Sequence, residues 1–284
     1  MIFKKYNDVE SFKADALDAL LEDEVQNNLP ISIILNSSNR YNPDSWLLFT
    51  VTDERGVIVL VAVCTLPYNI LLYEPAGDRI ADPMPFFVSE LKSAGFKPPG
   101  VLSRTDLARR FITAYSGEKG FTEKTRMVVM KLDKLTAYEK APGSCRMLTE
   151  DDLSFAPAWE HEFTVDCKLL PSTLAEHMER IKTRLGKDTH FIWEDRSGQP
   201  VSQAVHGRDT PNSAVISWVY TPPQFRGHGY ATSVVGELSE ACFKKGKKYC
   251  CLFADAANPV SRGVYKKLGY YDVCEFDEIV FDTV

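Results

Sequence analysis

The strongest constraint on how this chain folds is the run Val219-Tyr-Thr-Pro-Pro-Gln224-Phe-Arg-Gly227-His-Gly229-Tyr-Ala-Thr232. Upstream of it, Ala214–Tyr220 is almost uniformly apolar, the pattern of a strand buried on both faces. Pro222 and Pro223 cannot donate ladder hydrogen bonds, so they force the chain out of the sheet. Beyond Gly229, the residues Ala231, Val234, Val235, Leu238, Ala241 and Cys242 fall on one face of a helix reaching Lys245. A buried strand thus turns through two glycines directly into a helix, a junction of α/β chains.

That junction has a chemical consequence. Glycine lets the backbone take positive φ and approach a ligand closely. The first helical N–H groups lack intrahelical acceptors and sit at the positive end of the helix dipole. The geometry suits a phosphate or diphosphate, with Arg226 as an added cation. A P-loop would place Lys-Ser or Lys-Thr after the second glycine, and Tyr230-Ala231 stands there instead. A dinucleotide fingerprint would need a third glycine where Thr232 stands. A tight turn that holds no ligand is the remaining alternative.

At 284 residues the chain predicts two domains rather than one core. A net charge of −6 argues against a general nucleic-acid or membrane-surface binder, which would favour a basic face, while leaving room for a local anion site. The opening residues carry Asp8, Glu10 and Asp15 and no signal-peptide core, and the apolar run Val57–Cys64 is only strand length. The seven cysteines form no CxxC pair, so no metal site and no disulfide framework is expected. Together these readings predict a reduced, cytoplasmic protein.

In the first half, periodicity predicts a helix over 8–29, strands over 31–35, 46–52, 57–64 and 69–73, helices over 86–94 and 105–115, and a strand over 126–132. The stretch Thr136–Ser144, with Pro142 and Gly143, reads as a linker, placing domains at 1–138 and 139–284. The second half then reads as strand 146–148, a helix after the Thr149 cap running through Trp159 and Phe163, and a helix over 174–185. Strands follow over 190–194, 201–207 and 214–220, then the long helix, strand 249–254, helix 259–268, and two closing strands over 270–274 and 277–281. The expected class is α/β with a mixed sheet.

Gln224-x-x-Gly227-x-Gly229 matches the Q/R-x-x-G-x-G/A signature of the GNAT acetyltransferase superfamily. The segment Asn258-Pro-Val-Ser261-Arg-Gly-Val-Tyr265-Lys-Lys-Leu-Gly269-Tyr270 resembles the later helix of that family, and the order of elements is the same. The resemblance covers about half the chain. It implies a GNAT-like acyltransferase fold for the second half and acetyl-coenzyme A as co-substrate, with no metal. It implies that the loop Gln224, Phe225, Arg226, Gly227, His228, Gly229, Tyr230, Ala231 and Thr232 cradles the pyrophosphate, the amides from Phe225 to Tyr230 doing the work. Pantetheine would pair with backbone at Trp218, Val219, Tyr220 and Thr221, where the strand diverges from its neighbour at a bulge. An amide of that strand would polarise the thioester carbonyl.

Counted at 100° per residue, Asn258, Ser261 and Tyr265 share one helix face. The resemblance makes Asn258 a pantetheine contact and Tyr265 the general acid for the departing thiolate. A phenol with a pKa of about 10 suits that role. The base that deprotonates the amine is not legible: Glu160, His161, Glu162, His206, Asp255 and Glu278 are candidates, with Glu162 taken forward. The reaction expected is direct transfer to an amine of a small molecule or amino acid, its rate gain coming from holding the two reactants together. Protein acetylation and a coenzyme A sensor without turnover are the alternatives.

The first half has a similar rhythm and reads as a degenerate GNAT-like repeat. Where its phosphate loop would fall stands Gly77-Asp-Arg-Ile-Ala-Asp82-Pro83, with two aspartates that repel phosphate. This half is expected to bind no coenzyme A, and either to wall the acceptor pocket, through Pro98-Pro-Gly100, Arg109, Arg110 and Tyr115, or to serve purely as scaffold.

Overall fold

The computed structural model describes residues 1–37, 42, 44–77, 81–117 and 120–282. The chain forms two compact units, 1–129 with 273–284, and 130–272. The sequence suggests a single boundary near 138. The structure divides the chain twice because the last strand belongs to the sheet of the first unit.

In the first unit, β1 (Ile2–Tyr6), α1 (Val9–Glu22), α2 (Asn28–Leu35), β2 (Trp46–Thr52), β3 (Ile58–Thr65), β4 (Ile70–Tyr73), α3 (Met84–Ser93), β5 (Gly100–Arg104), α4 (Thr105–Ser116) and β6 (Phe121–Leu132) follow in order. The closing strand β12 (Tyr271–Phe281) inserts between β5 and β6, so the sheet runs β1-β2-β3-β4-β5-β12-β6. Side chains alternate between its faces. Phe49, Leu60, Ala62 and Ile279 pack with Phe87 and Phe111, on α3 and α4. Leu48, Val61 and Val63 pack with Phe12, Leu20, Ile31 and Ile34, on α1 and α2.

Three expectations change here. Residues 31–35, read as a strand, form the end of α2, because Ile31 and Ile34 are buried at helical spacing against α1. The strands β1 and β5 have no clear sequence signal. Tyr6 alone of β1 is buried, and β5 follows two prolines. Gly100 is required there: a Cβ would lie 2.2 Å from the Ile279 carbonyl oxygen across the β5–β12 ladder. The two predicted closing strands are one continuous β12.

The second unit runs β7 (Ser144–Met147), a 3-10 turn (Glu150–Ser154), α5 (Ala156–Asp166), α6 (Leu174–Lys182), β8 (His190–Glu194), β9 (Pro200–His206), β10 (Ser213–Tyr220), α7 (Tyr230–Lys244), β11 (Tyr249–Asp255) and α8 (Pro259–Leu268). Its strand order is β11-β10-β9-β8-β7, antiparallel except for β10 with β11. Helix α7 packs on β8, β9 and β10, and α5 packs on α6 and β10. Among the described residues no helix is long and apolar enough to cross a membrane.

Candidate functional site

The site is built on the end of β10. Its parallel pairing with β11 covers Ser213↔Tyr249, Ala214↔Cys250 and Val215↔Cys251, after which the two strands part while β10 continues to Tyr220 and β11 to Asp255. On its other side, β10 steps from Ser217↔Val205 to Tyr220↔Gln203, three residues against two, which is a β-bulge. Trp218 takes φ +52 there, a left-handed conformation costing a non-glycine residue about 1–2 kcal/mol. Side chains of β9 hold the displaced backbone: Ser202 Oγ donates to the Tyr220 carbonyl at 3.1 Å and bonds Thr221 Oγ1 at 2.8 Å. The bulge therefore opens a gap with backbone groups of Ile216–Tyr220 free of a β11 partner.

Past Thr221, a 3-10 turn over Pro223–Phe225 leads to the glycines. The amides of Phe225 and Arg226 are used inside this turn, donating to the carbonyls of Pro222 at 2.9 Å and Pro223 at 3.3 Å. The Phe225 and Arg226 amides thus both leave the expected set of cradling amides. Among the described residues, the amides of 227–232 donate to no protein acceptor, and α7 begins its own ladder with Ser233 donating to Gly229 at 3.0 Å. Gly227 at φ +85 and Gly229 at φ +81 make this turn possible, and the Cβ position of Gly227 has nothing within 4 Å. A row of exposed amides with open space in front of it fits a diphosphate. Gln224 lines the neighbouring groove, and the rings of His228 and Tyr230 lie 5.7 Å apart. Ala231 is half-buried, and the Thr232 side chain is buried.

Arg226 differs from its expected role. Its Nε donates to the Thr221 carbonyl at 2.9 Å and its Nη2 to Asp166 at 2.8 Å, so it braces the loop against α5 with its charge already paired. Asn258 likewise uses its side-chain oxygen as an N-cap, accepting from the Ser261 amide at 3.0 Å. Tyr265 is 7% exposed on α8, edge-on to Tyr270 at 5.8 Å. Burial pushes its phenol up to about 12, against an opposing pull from a hydrogen bond with Ser261.

A groove of about 470 Å³ runs between α5 and the end of β10, lined by Trp159, His161, Glu162, Asp166, Tyr220 and Gln224 among others. Tyr220 Oη donates to Glu162 Oε2 at 2.6 Å. Burial, and next the Glu162 carboxylate, raise the Tyr220 pKa, so the hydroxyl stays a donor. The other candidate bases also have partners, and of them His161 shares this groove. Glu160 is wholly buried among Arg184, Arg180 and His177. His206 is held by Asp209 at 3.2 Å and the Asp188 carbonyl at 2.9 Å. His161 lies 3.3 Å from the Ser172 carbonyl, and Asp255 accepts from the Ala257 amide at 2.8 Å. Glu278 belongs to the first unit and accepts from Asn69 at 2.9 Å. Asp166, Trp159, His177, Arg180 and Arg184 were not singled out from the sequence for the site. The only sequence signal for the last three is the spacing of His177 and Arg180 on α6, with Arg184 just past its end.

In the first unit, the carboxylates beside the expected loop are paired within the chain. Glu74, buried at the end of β4, takes a two-pronged ion pair from Arg110 at 2.7 and 2.9 Å, and Asp82 pairs with the same guanidinium. Asp82 also accepts from the Met84 amide at 2.9 Å, so a carboxylate of the chain already caps α3. Asp78, Arg79 and Ile80 of the expected loop lie outside the described residues. Arg109 pairs with Glu123 and Asp277, and Tyr115 donates to the Phe96 carbonyl at 3.2 Å, all contacts within this unit.

Residues 196–277 match the family model described as FR47-like protein. No curated protein matches the sequence. Among solved structures, a GCN5-related N-acetyltransferase from Sphaerobacter thermophilus superposes with a TM-score of 0.67 at 16% identity, covering 98% of this chain and 94% of that one. A GNAT-family acetyltransferase from Colwellia psychrerythraea gives a TM-score of 0.60 at 11% identity, covering 99% and 100%. A tandem GNAT protein from the clavulanic acid biosynthesis pathway gives 0.56 at 13% identity, covering 98% and 97%. These likenesses establish the fold along nearly the whole chain, and the family match spans both the glycine loop and the Tyr265 helix. Residues 196–277 thus resemble the FR47-like family, and the chain as a whole has the fold of the GNAT acetyltransferases.

Proposed function

We propose that the second unit transfers the acetyl group of acetyl-coenzyme A directly to an amine of a small molecule or amino acid. The observation that carries this reading is the row of acceptor-free amides over 227–232, placed immediately after a strand that has parted from its neighbour. Those amides hold the diphosphate. The backbone of Trp218, Val219, Tyr220 and Thr221 pairs with the extended pantetheine arm, and an amide of the bulge polarises the thioester carbonyl as charge develops on its oxygen.

Glu162, in the groove beside Tyr220, takes the proton that the incoming ammonium must lose. Tyr265 faces the other end of the reaction. With its phenol at about 12 and a thiol at about 8.5, full proton transfer to the leaving sulfur is uphill. Tyr265 therefore works by donating a hydrogen bond to the departing thiolate, which takes its proton afterwards. Nothing covalent forms on the enzyme, and the rate gain comes from proximity and orientation.

The test is release of free thiol from acetyl-coenzyme A against a panel of amines, run beside calorimetric titration of coenzyme A. Turnover on a small amine supports the reading. Tight coenzyme A binding with no turnover on any amine makes the protein a sensor, and absence of coenzyme A binding removes the proposal altogether.

A further inference from the structure

Helices α5 and α6 bury a charged cluster beside the bulge. Glu160 of α5 is fully buried and faces Arg184, Arg180 and His177. Two guanidinium cations meet one carboxylate, which leaves a positive charge in surplus before the imidazole is counted. Arg184 is 12% exposed and hydrogen-bonded to Glu160, so it neutralises that carboxylate. Arg180 carries the surplus. It stands 3.7 Å from Glu160, beyond hydrogen-bond length, and among the described residues its guanidinium has no hydrogen-bond acceptor. An arginine that served only to brace α5 against α6 would use its donors, as Arg184 does.

The position of those unused donors is defined. The Arg180 guanidinium lies 4.9 Å over the indole of Trp218, the left-handed residue of the bulge. That indole is fixed in turn by Phe163 at 5.1 Å and His177 at 6.0 Å. Stacking on an aromatic face orients the guanidinium plane and leaves its edge open, the edge that grips a carboxylate with two parallel hydrogen bonds. Its side chain is 34% exposed, so an anion arriving there meets a partly desolvated cation. Buried in the same cluster, His177 Nε2 has no partner among the described residues. Two residues further along β10, Tyr220 holds the Glu162 carboxylate. The bulge thus carries a cation over Trp218 and an anion on Tyr220, two residues apart on the same strand.

Resting on the acyl-transfer reading above, we propose that Arg180 is a specificity-determining residue that binds a carboxylate carried by the acceptor close to its amine. Glu162 meets the ammonium end and Arg180 the acid end, so the acceptor class is amino-acid-like zwitterions rather than simple cationic amines.

The experiment compares α-amino acids with their primary amides, which keep the amine and remove the negative charge. Wild-type kcat/KM is expected to favour the acid by roughly 10- to 100-fold, mostly through KM. Arg180→Gln should bring the acid-to-amide ratio close to one, and Arg180→Lys should restore part of it, because the charge returns without the planar fork. The same pairs titrated calorimetrically into coenzyme A-saturated protein read the preference without turnover, so a failure of the acyl-transfer reading leaves this test standing. An acid-to-amide ratio of one or less in the wild type overturns the proposal by both measurements. So does a ratio that Arg180→Gln leaves unchanged.

Discussion

Tyr220 Oη donates a 2.6 Å hydrogen bond to Glu162 Oε2, joining the last residue of β10 to the exposed side of α5. This contact puts a carboxylate at the mouth of the groove, next to the strand that would present the thioester. The sequence places Glu162 among several candidate bases, of which Glu162 and His161 line this groove.

As the proposed base, Glu162 has a testable weight. Glu162→Gln keeps the shape and the bond to Tyr220 while removing the proton acceptor, so kcat should fall by about 10²-fold with coenzyme A affinity within about 2-fold of wild type. Tyr220→Phe, which keeps the carboxylate, should cost less. Steady-state rates with calorimetry decide the matter, and a Glu162→Gln enzyme at wild-type speed assigns the base elsewhere.

Tyr265 makes a different demand on pH. Burial raises its phenol to about 12, so it stays protonated through the range in which an ordinary tyrosine begins to ionise. The wild-type rate should therefore show no descending limb from this group below about pH 11. Tyr265→Phe should lower kcat by about 10²-fold at every pH tested without changing the shape of the profile. A wild-type alkaline limb near pH 10 that vanishes in Tyr265→Phe would contradict the buried placement.

Much of the second unit was legible because its signals are local. Prolines end β10, glycines start α7, and Asn258-Pro259 opens α8, each by backbone chemistry confined to a few residues. The first unit hides more, since β1 and β5 exist only through their partners: β1 by pairing with β2, and β5 by pairing with β4 and with β12 from the far end of the chain. Residues 31–35 read as a strand yet form helix, because a short apolar run fits a strand or a buried helix equally well. In the site, the loop could be read, whereas the pairing of Arg226 with Asp166 and of Arg180 with Trp218 depends on how α5 and α6 lie across β10.

Gly227 tests the anion cradle directly. A Cβ there meets nothing within 4 Å, so a larger side chain clashes with no protein atom, although φ +85 strains any non-glycine residue by about 1–2 kcal/mol. Gly227→Glu should retain the fold by circular dichroism yet lose coenzyme A binding by more than about 100-fold, since a carboxylate then competes for the amides. Retained affinity would mean that the diphosphate binds elsewhere.

The route of the last strand gives a prediction for the first unit. β12 lies between β5 and β6, contributes Ile279 to the core, and sends Asp277 to Arg109 and Arg126. Ending the chain after Asp272 removes an interior strand and leaves its neighbours with unpaired ladder groups. That truncation should abolish the native amide-exchange protection of β5, while Ile279→Ala in the full chain should destabilise by about 2–5 kcal/mol. Full protection of β5 in the truncated chain would show that the strand is dispensable.

His190 links the fold of the second unit to acidity. It is wholly buried in β8, with Nε2 at 3.2 Å from Gln203 Oε1 and no partner for Nδ1 among the described residues. Burial, helped by the nearby Arg184 cation, depresses its pKa to about 3. The unfolded chain takes up this proton near pH 6.5, whereas the folded chain resists until about pH 3, so between those values the unfolded state binds more protons. Stability from this group is therefore intact above pH 6.5 and drains away as the pH falls, by about 5 kcal/mol in all if no other group compensates. His190→Gln removes the titration and gives up the Gln203 contact, at about 1 kcal/mol near neutrality. Urea midpoints of the transition that contains this unit should then fall less steeply from pH 7 to pH 4 in the variant than in the wild type, the two curves crossing on the acid side. Parallel curves would mean that the imidazole takes up its proton at about the same pH folded and unfolded, its burial offset by a partner other than Gln203.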